Sequence, residues 1–252
     1  MALKLIQSQK ITELIVAPGN AGTAELGENV PVMADDLDGL LTIAKTRSID
    51  LTVVGPEQPL IDGISELFQR HGLKIFGPSK NAARIEGSKI WSNDLMVKYA
   101  IPTADSVAFS ESTKAIDYAL ARPEGSLVVK ADGPAAGKGV LLPDTYEDLE
   151  IAVRGMLDGA SFGESSSSLL LAERMSGPEV SVFAFLDGET VSAEIAACDY
   201  KRIGEGDTGL NTGGVGAYAP PEFWTNELAA RVRMEILEPT ARALVAENSA
   251  YS

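Results

Sequence analysis

The sequence predicts an α/β unit built on a parallel sheet, followed by an α+β unit. Three observations carry that expectation. Short apolar runs alternate with amphipathic helical segments through the first third of the chain, and each run ends at Gly or Pro. Further on, strand-like runs are joined as hairpins around one helical segment, which favours antiparallel pairing over a second doubly wound sheet. The chain has 252 residues, 45% of them apolar, enough for one large core or two smaller ones.

In the first unit, Leu14–Ala17, Leu51–Val54 and Leu73–Phe76 are the expected strands. Between the last two, Leu60, Ile61, Ile64, Leu67 and Phe68 share one helical face. This βαβ rhythm implies a parallel sheet with ligands near the C-terminal ends of its strands. Two turns stand at such ends: Ala17-Pro18-Gly19-Asn20-Ala21-Gly22-Thr23 and Gly55-Pro56-Glu57-Gln58-Pro59-Leu60. Either alone has an ordinary turn composition. Their matching positions on one sheet point to a shared site.

A second unit is expected to start near Ser88. Its strands are Leu127–Lys130, Leu169–Ala172 and Val180–Leu186, with a helix from Tyr146 to Leu157. A turn at Asp187-Gly188 leads into a returning strand over Val191–Ala197. The last helix, Glu227–Ala246, sets Leu228, Val232, Leu237 and Leu244 on one side, and Pro239 should kink or restart it.

Composition narrows the function. With 36 acidic against 21 basic side chains, the net charge of −15 argues against nucleic acid as a partner. Neither a basic-plus-apolar leader nor a long apolar span is present, so a soluble, cytoplasmic protein without membrane contact is expected. A single cysteine, Cys198, excludes an internal disulfide and a cysteine-rich zinc site. The only histidine, His71, precedes Gly72 where a helix should end, which argues against a Ser-His-Asp hydrolase. Any catalysis therefore falls to lysines, arginines, carboxylates and backbone amides.

The segment richest in chemistry is VVKADGPAAGKGV, from Val128 to Val140. A β-branched run delivers Lys130 from a strand end, and a Gly-rich loop follows with Lys138 between Gly137 and Gly139. Small residues let backbone N–H groups approach an anion, and two ammonium groups add fixed charge, so a polyphosphate is the expected ligand. The spacing is not that of the P-loop, because three residues rather than four separate Gly133 from Gly137 and Gly139 follows the lysine. Glu173 and Glu179, around Ser176-Gly177-Pro178, could hydrogen-bond a nucleotide's amino or ribose groups, and Lys89 could add a third phosphate contact. From Asp199 to Tyr218, DYKRIGEGDTGLNTGGVGAY formally satisfies G-x-G-x-x-G at Gly204, Gly206 and Gly209. The dinucleotide reading fails because more glycines and Pro220-Pro221 follow, and Glu205 and Asp207 would repel a pyrophosphate. A Gly-rich loop mixing Lys201, Arg202, Asp207 and Asn211 suits a small zwitterion.

Taken in order, APGNAGT, GPEQPL, IFGPSKNAARIEGSK, VVKADGPAAGKGV and the segment containing Lys201-Arg202 and NTGGVGAY resemble the ATP-grasp superfamily. Within it, they resemble the glycinamide ribonucleotide synthetase (phosphoribosylamine–glycine ligase) family of de novo purine biosynthesis. The resemblance implies an amine-substrate domain over residues 1–88 and an ATP-grasp domain over residues 89–252. It implies ATP as a substrate, Mg²⁺ or Mn²⁺, and ligation of glycine to 5-phosphoribosylamine through glycyl phosphate. Carried over residue by residue, Lys89, Lys130, Gly137, Lys138 and Gly139 would contact phosphates, with Glu173 and Glu179 at the adenine and ribose end. Lys201, Arg202 and Asp207 would act at the reacting carboxylate, framed by Asp199, Asn211, Thr212, Gly213 and Gly214. Gly19, Asn20, Gly22, Thr23, Pro56 and Glu57 would hold phosphoribosylamine.

The sequence also departs from the family pattern. Cys198 and Tyr200 flank Asp199 where Gln and His are usual, Val215 replaces Met, and Pro134 replaces Leu. The family's first strand and ribose-phosphate loop would precede Met1, and its metal-binding Glu and Asn would follow Ser252. Both domains are therefore expected to be incomplete, the first lacking its opening strand and the second its C-terminal part, and this chain alone is expected not to ligate. Two alternatives stand beside the ligase: a catalytically incompetent fragment that binds nucleotide, and an ATP-grasp ligase for another amine. APGNAGT and GPEQPL argue against the latter, because they belong to the amine-substrate domain.

Overall fold

The computed structural model describes residues 1–133, 139–159, 167–206 and 208–251. They form two compact units, Met1–Gly87 and Ser88–Ser252. Among the described residues no helix is long and apolar enough to cross a membrane.

In the first unit all strand pairing is parallel, as the βαβ rhythm requires. It is confined to two separate two-stranded ladders rather than one continuous sheet. Ile15–Val16 pairs with Glu28–Asn29, and Thr52–Val53 pairs with Ile75–Phe76. Each strand is only two residues long because Gly or Pro closes it almost at once; Pro18 and Pro56 follow the first strand of each ladder. The apolar face at Leu60–Phe68 is helical but split. Gly63 takes φ +95°, ending Gln58–Asp62 and opening Ile64–Arg70. Ile64 and Phe68 are buried with Leu41 and Ala44 of the helix Leu37–Thr46, and Leu60, Leu67, Leu73 and Ile75 pack around them. His71 caps its helix as expected, with Nδ1 2.9 Å from the Leu67 carbonyl.

The second unit is built on an antiparallel sheet ordered Ser106–Phe109, Leu169–Glu173, Leu127–Ala131, Val140–Leu141. Helices Ser112–Leu120 and Tyr146–Leu157 cover one face. Val129, Leu169, Leu171, Val153 and Met156 are fully shielded there, each contributing roughly 1.5–3 kcal/mol. Tyr146–Leu157 has its expected limits because Thr145 caps it, accepting from Asp148 N at 3.1 Å. The expected strand Val180–Leu186 is interrupted: Ser181–Phe183 joins a second sheet, while Leu186–Asp187 turns at Gly188 to pair with Thr190–Val191. The last helix breaks where Pro239 demands it. Asn226–Val232 passes through a π-helical turn, Arg233–Leu237, and restarts as Glu238–Ala246 with Pro239 in its first turn. Proline has no N–H to give the preceding turn, and the wider π register absorbs the loss.

The largest difference from expectation is the polar segment Asp199–Tyr218. It is a long antiparallel hairpin, Ile195–Gly204 against Thr208–Tyr218, rather than a loop. Register shifts near Arg202 and positive φ at Gly206, Gly209 and Gly214 let so many glycines remain within a ladder. The strand Ile195–Gly204 also pairs with Ser181–Phe183, completing a three-stranded sheet.

Candidate active site

Lys130 leaves the Leu127–Ala131 strand half-buried, opposite Leu170. Side-chain alternation places it on the sheet face away from the helix-covered core of Leu127, Val129 and Ala131. Immediately downstream, the backbone turns: Ala131 N donates to Gly139 O at 2.7 Å, and Asp132 N donates to Ser168 O at 3.1 Å. Lys89, first residue of the helix Lys89–Lys98, reaches this point, its Nζ donating to the Gly133 carbonyl at 2.8 Å. Burial, and then the charge of Lys89, push the Lys130 ammonium below the ordinary lysine pKa. No carboxylate among the described residues forms an ion pair with either lysine. Two neighbouring cations, neither ion-paired to a carboxylate among the described residues, are an arrangement that suits a polyanion.

Sequence reasoning gave no role to Asp132. Its carboxylate accepts from Ser88 Oγ at 3.1 Å and from Ile90 N at 3.2 Å. Ser88 Oγ in turn accepts from Trp91 N at 3.1 Å, capping the helix. A serine immediately before a helix was the available signal. The acceptor across the fold was not legible in local spacing. The same helix is held further along by Ser106 Oγ, which donates to Asn93 Oδ1 at 2.7 Å, and past its end by Tyr99 Oη donating to Glu247 at 2.6 Å.

Glu173 is exposed at the far end of the same pair of strands, opposite Leu127 and three residues along the ladder from the Lys130–Leu170 pair. That is about 10 Å at strand spacing. The structure does not bring Glu173 to the lysines. Glu179 instead pairs with Lys201, whose ammonium also lies 3.9 Å from Asp199. The Glu179 hydrogen bond raises the Lys201 pKa. Arg202 turns toward its own hairpin, Nη1 donating to the Gly209 carbonyl at 3.3 Å. Thr212 Oγ1 donates to the Lys201 carbonyl at 2.9 Å and accepts from Gly214 N at 3.1 Å. The hairpin thus gathers Asp199, Lys201, Thr212 and Gly214 with Glu179. Gly137, Lys138 and Asp207 lie outside the described residues, as does the Asn211 side chain.

In the first unit, Gly19, Asn20, Gly22 and Thr23 form one capped turn. Asn20 Oδ1 accepts from Thr23 N at 3.0 Å, and Asn20 N donates to Thr23 Oγ1 at 2.7 Å. Asn29 closes it, its amide donating to Asn20 O at 2.7 Å. Gly19 has φ +78°, and a Cβ there would fall 2.2 Å from Asn29 Oδ1, so only glycine fits. Asn20 and Thr23 spend side-chain bonds on this cap; Gly22 is exposed. Pro56 and Glu57 stand at the end of the other ladder, opening Gln58–Asp62.

The antiparallel sheets of the second unit belong to an ATP-grasp fold. It is shared at 17% identity and TM-score 0.71 with the biotin carboxylase domain of Hydrogenobacter thermophilus 2-oxoglutarate carboxylase, a likeness of fold alone. Two family models match the chain: the phosphoribosylglycinamide synthetase N domain over residues 1–86 and its ATP-grasp (A) domain over residues 87–252. The chain belongs to the phosphoribosylglycinamide synthetase family. It is 44% identical over 255 aligned residues to a phosphoribosylamine–glycine ligase of Haemophilus influenzae, covering 100% of this chain and 59% of that protein. A relative of the same name from Xanthomonas axonopodis is also 44% identical, with the same coverage. A solved phosphoribosylamine–glycine ligase from Thermotoga maritima superposes with TM-score 0.80 at 28% identity, over 99% of this chain and 60% of that one. The chain therefore spans about three-fifths of the length of these relatives.

Proposed function

We propose that this chain carries the ATP- and substrate-binding residues of an ATP-dependent carbon–nitrogen ligase that joins glycine to 5-phosphoribosylamine, giving glycinamide ribonucleotide in purine biosynthesis. The observation that carries this reading is the unpaired Lys89–Lys130 couple at the strand exit, within a chain of this family. In this reading the glycine carboxylate attacks the γ-phosphorus of ATP, forming glycyl phosphate and releasing ADP. The phosphoribosylamine nitrogen then attacks the acyl carbon, the carbonyl–phosphate bond breaks, and inorganic phosphate leaves as the amide forms.

Positioning and charge neutralisation are the main demands on the protein. Lys89 and Lys130 take the terminal phosphates with the Gly137–Gly139 segment. Glu173, about 10 Å along the strands, suits the adenine end, because a nucleotide's base and terminal phosphates are separated by a comparable span. Lys201 and Arg202 take the glycine carboxylate, with Asp207 beside them. The capped turn at Gly19–Thr23, with Pro56 and Glu57, holds phosphoribosylamine, and residues 1–88 and 89–252 divide the two tasks. Mg²⁺ or Mn²⁺ is the metal expected of the family. Among the described residues no group of three His, Cys, Asp or Glu side chains fits a metal site.

The test is a titration of ATP followed by incubation with glycine and phosphoribosylamine. ATP binding that weakens on the order of 10–100-fold in Lys130→Ala supports the site. Mass-spectrometric detection of glycinamide ribonucleotide supports ligation by this chain. Binding without product agrees with the expectation that this chain alone does not ligate, and a product made only with another amine favours a different ligase.

A further inference from the structure

We propose that Asp132 is a positioning residue for the phosphate clamp, fixing the first turn of the Lys89–Lys98 helix so that the Lys89 ammonium stands beside Lys130. The inference rests on the reading that these two lysines receive the ATP phosphates. Three contacts join the strand exit to the helix start. The Asp132 carboxylate accepts from Ser88 Oγ at 3.1 and 3.2 Å and from Ile90 N at 3.2 Å, and the Gly133 carbonyl accepts from Lys89 Nζ at 2.8 Å. Residues 132 and 133 thus hold residues 88, 89 and 90 in succession.

The chemistry explains why a carboxylate stands there. A helix start presents unsatisfied N–H groups and a partial positive charge, which a carboxylate satisfies and complements. Trp91 N is met by Ser88 Oγ and Ile90 N by Asp132, so the first turn cannot rotate without breaking both bonds. An ammonium has three donors, and Lys89 gives one to Gly133. The constraint matters because two lysine cations repel each other. Left to its own rotamers, Lys89 would swing away from Lys130, and forming the paired receptor would cost side-chain entropy on every binding event.

The experiment compares wild type, Asp132→Asn, Lys89→Ala and the double variant by calorimetric ATP titration with Mg²⁺. In the absence of ATP, the acylation rate of Lys89 is read by mass spectrometry. Positioning predicts that Asp132→Asn weakens ATP binding by about tenfold, and that the same change in the Lys89→Ala background costs less than about twofold. Acylation of Lys89 should rise several-fold in Asp132→Asn while the melting temperature stays near that of wild type. A purely structural role would lower the melting temperature and weaken binding equally in both backgrounds, overturning the proposal, as would unchanged Lys89 acylation. If Asp132→Asn does not fold, Ser88→Ala removes the hydroxyl bridge together with the Trp91 cap. It carries the same binding and acylation predictions at smaller size, with a melting temperature lowered by the lost cap, and Ser88→Thr restores wild-type behaviour. A wild-type chain that binds no ATP would defeat the functional reading, while the Lys89 acylation rates still decide the role of Asp132.

Discussion

Lys130 is the residue at which the electrostatics of the site can be measured directly. Its pKa is lowered by burial and by Lys89. Between that lowered value and the ordinary lysine value of 10.5, the unfolded chain holds a proton that the folded chain has released. The contribution of Lys130 to stability therefore rises with pH across this window, and below it the folded state bears the full cost of burying the charge. A bound triphosphate supplies the missing counter-charge and returns the pKa upward. ATP binding within the window should thus take up protons, seen as different apparent heats in buffers of different ionisation enthalpy. The uptake should vanish in Lys130→Met; equal uptake in that variant would place the titrating group elsewhere. At Lys201 the sign is opposite. Its pKa is raised, first by the Glu179 hydrogen bond, so the pair's stabilisation is present below the ordinary lysine value and is lost as pH rises through the folded one. Both partners are well exposed, so Glu179→Gln should cost less than about 1 kcal/mol of stability while lowering the Lys201 pKa, as followed by side-chain NMR.

At the scale of elements, the Tyr146–Leu157 helix offers a clean test of capping. Thr145 accepts from Asp148 N, and Asp148 Oδ2 accepts the Thr145 hydroxyl at 2.7 Å. Thr145→Ala should lower stability by about 1 kcal/mol in a denaturant melt. An unchanged midpoint would mean that packing of Leu149, Val153 and Met156 alone sets this helix. The helix was legible in sequence because its apolar spacing, cap and acidic first turn all agree. The strands at Leu127 and Leu169 were legible because burial on both faces turns them into apolar runs. The Glu28–Asn29 strand was not legible: two polar residues paired only with Ile15–Val16 leave no pattern. The Asp199–Tyr218 hairpin hid behind its glycines and charges, since its ladder depends on irregular register rather than on side-chain alternation. Of the site, the lysines and the hairpin polar groups were readable from residue type. The Glu179–Lys201 pairing and the Asp132 cap depend on chain segments distant in sequence, which spacing cannot encode.

On the scale of the whole molecule, each compact unit has its own core, one around Ile64 and Phe68 and the other around Val129, Leu171 and Met156. The residues proposed for ATP all fall within residues 88–252. Phe68→Leu, a milder change than truncation to Ala, should destabilise the first unit by about 1 kcal/mol or more while leaving ATP affinity within about twofold of wild type. A matching loss of ATP affinity would show that the nucleotide site depends on the first unit's core.

The proposed function requires the paired lysines to be a triphosphate receptor. The most direct measurement is calorimetric titration of ATP with Mg²⁺ into this 252-residue chain, alongside folded Lys130→Ala. Saturable binding by wild type, weakened on the order of 10–100-fold in the variant, is the predicted result. Equal binding by the two chains, or none by a folded wild type, would contradict it.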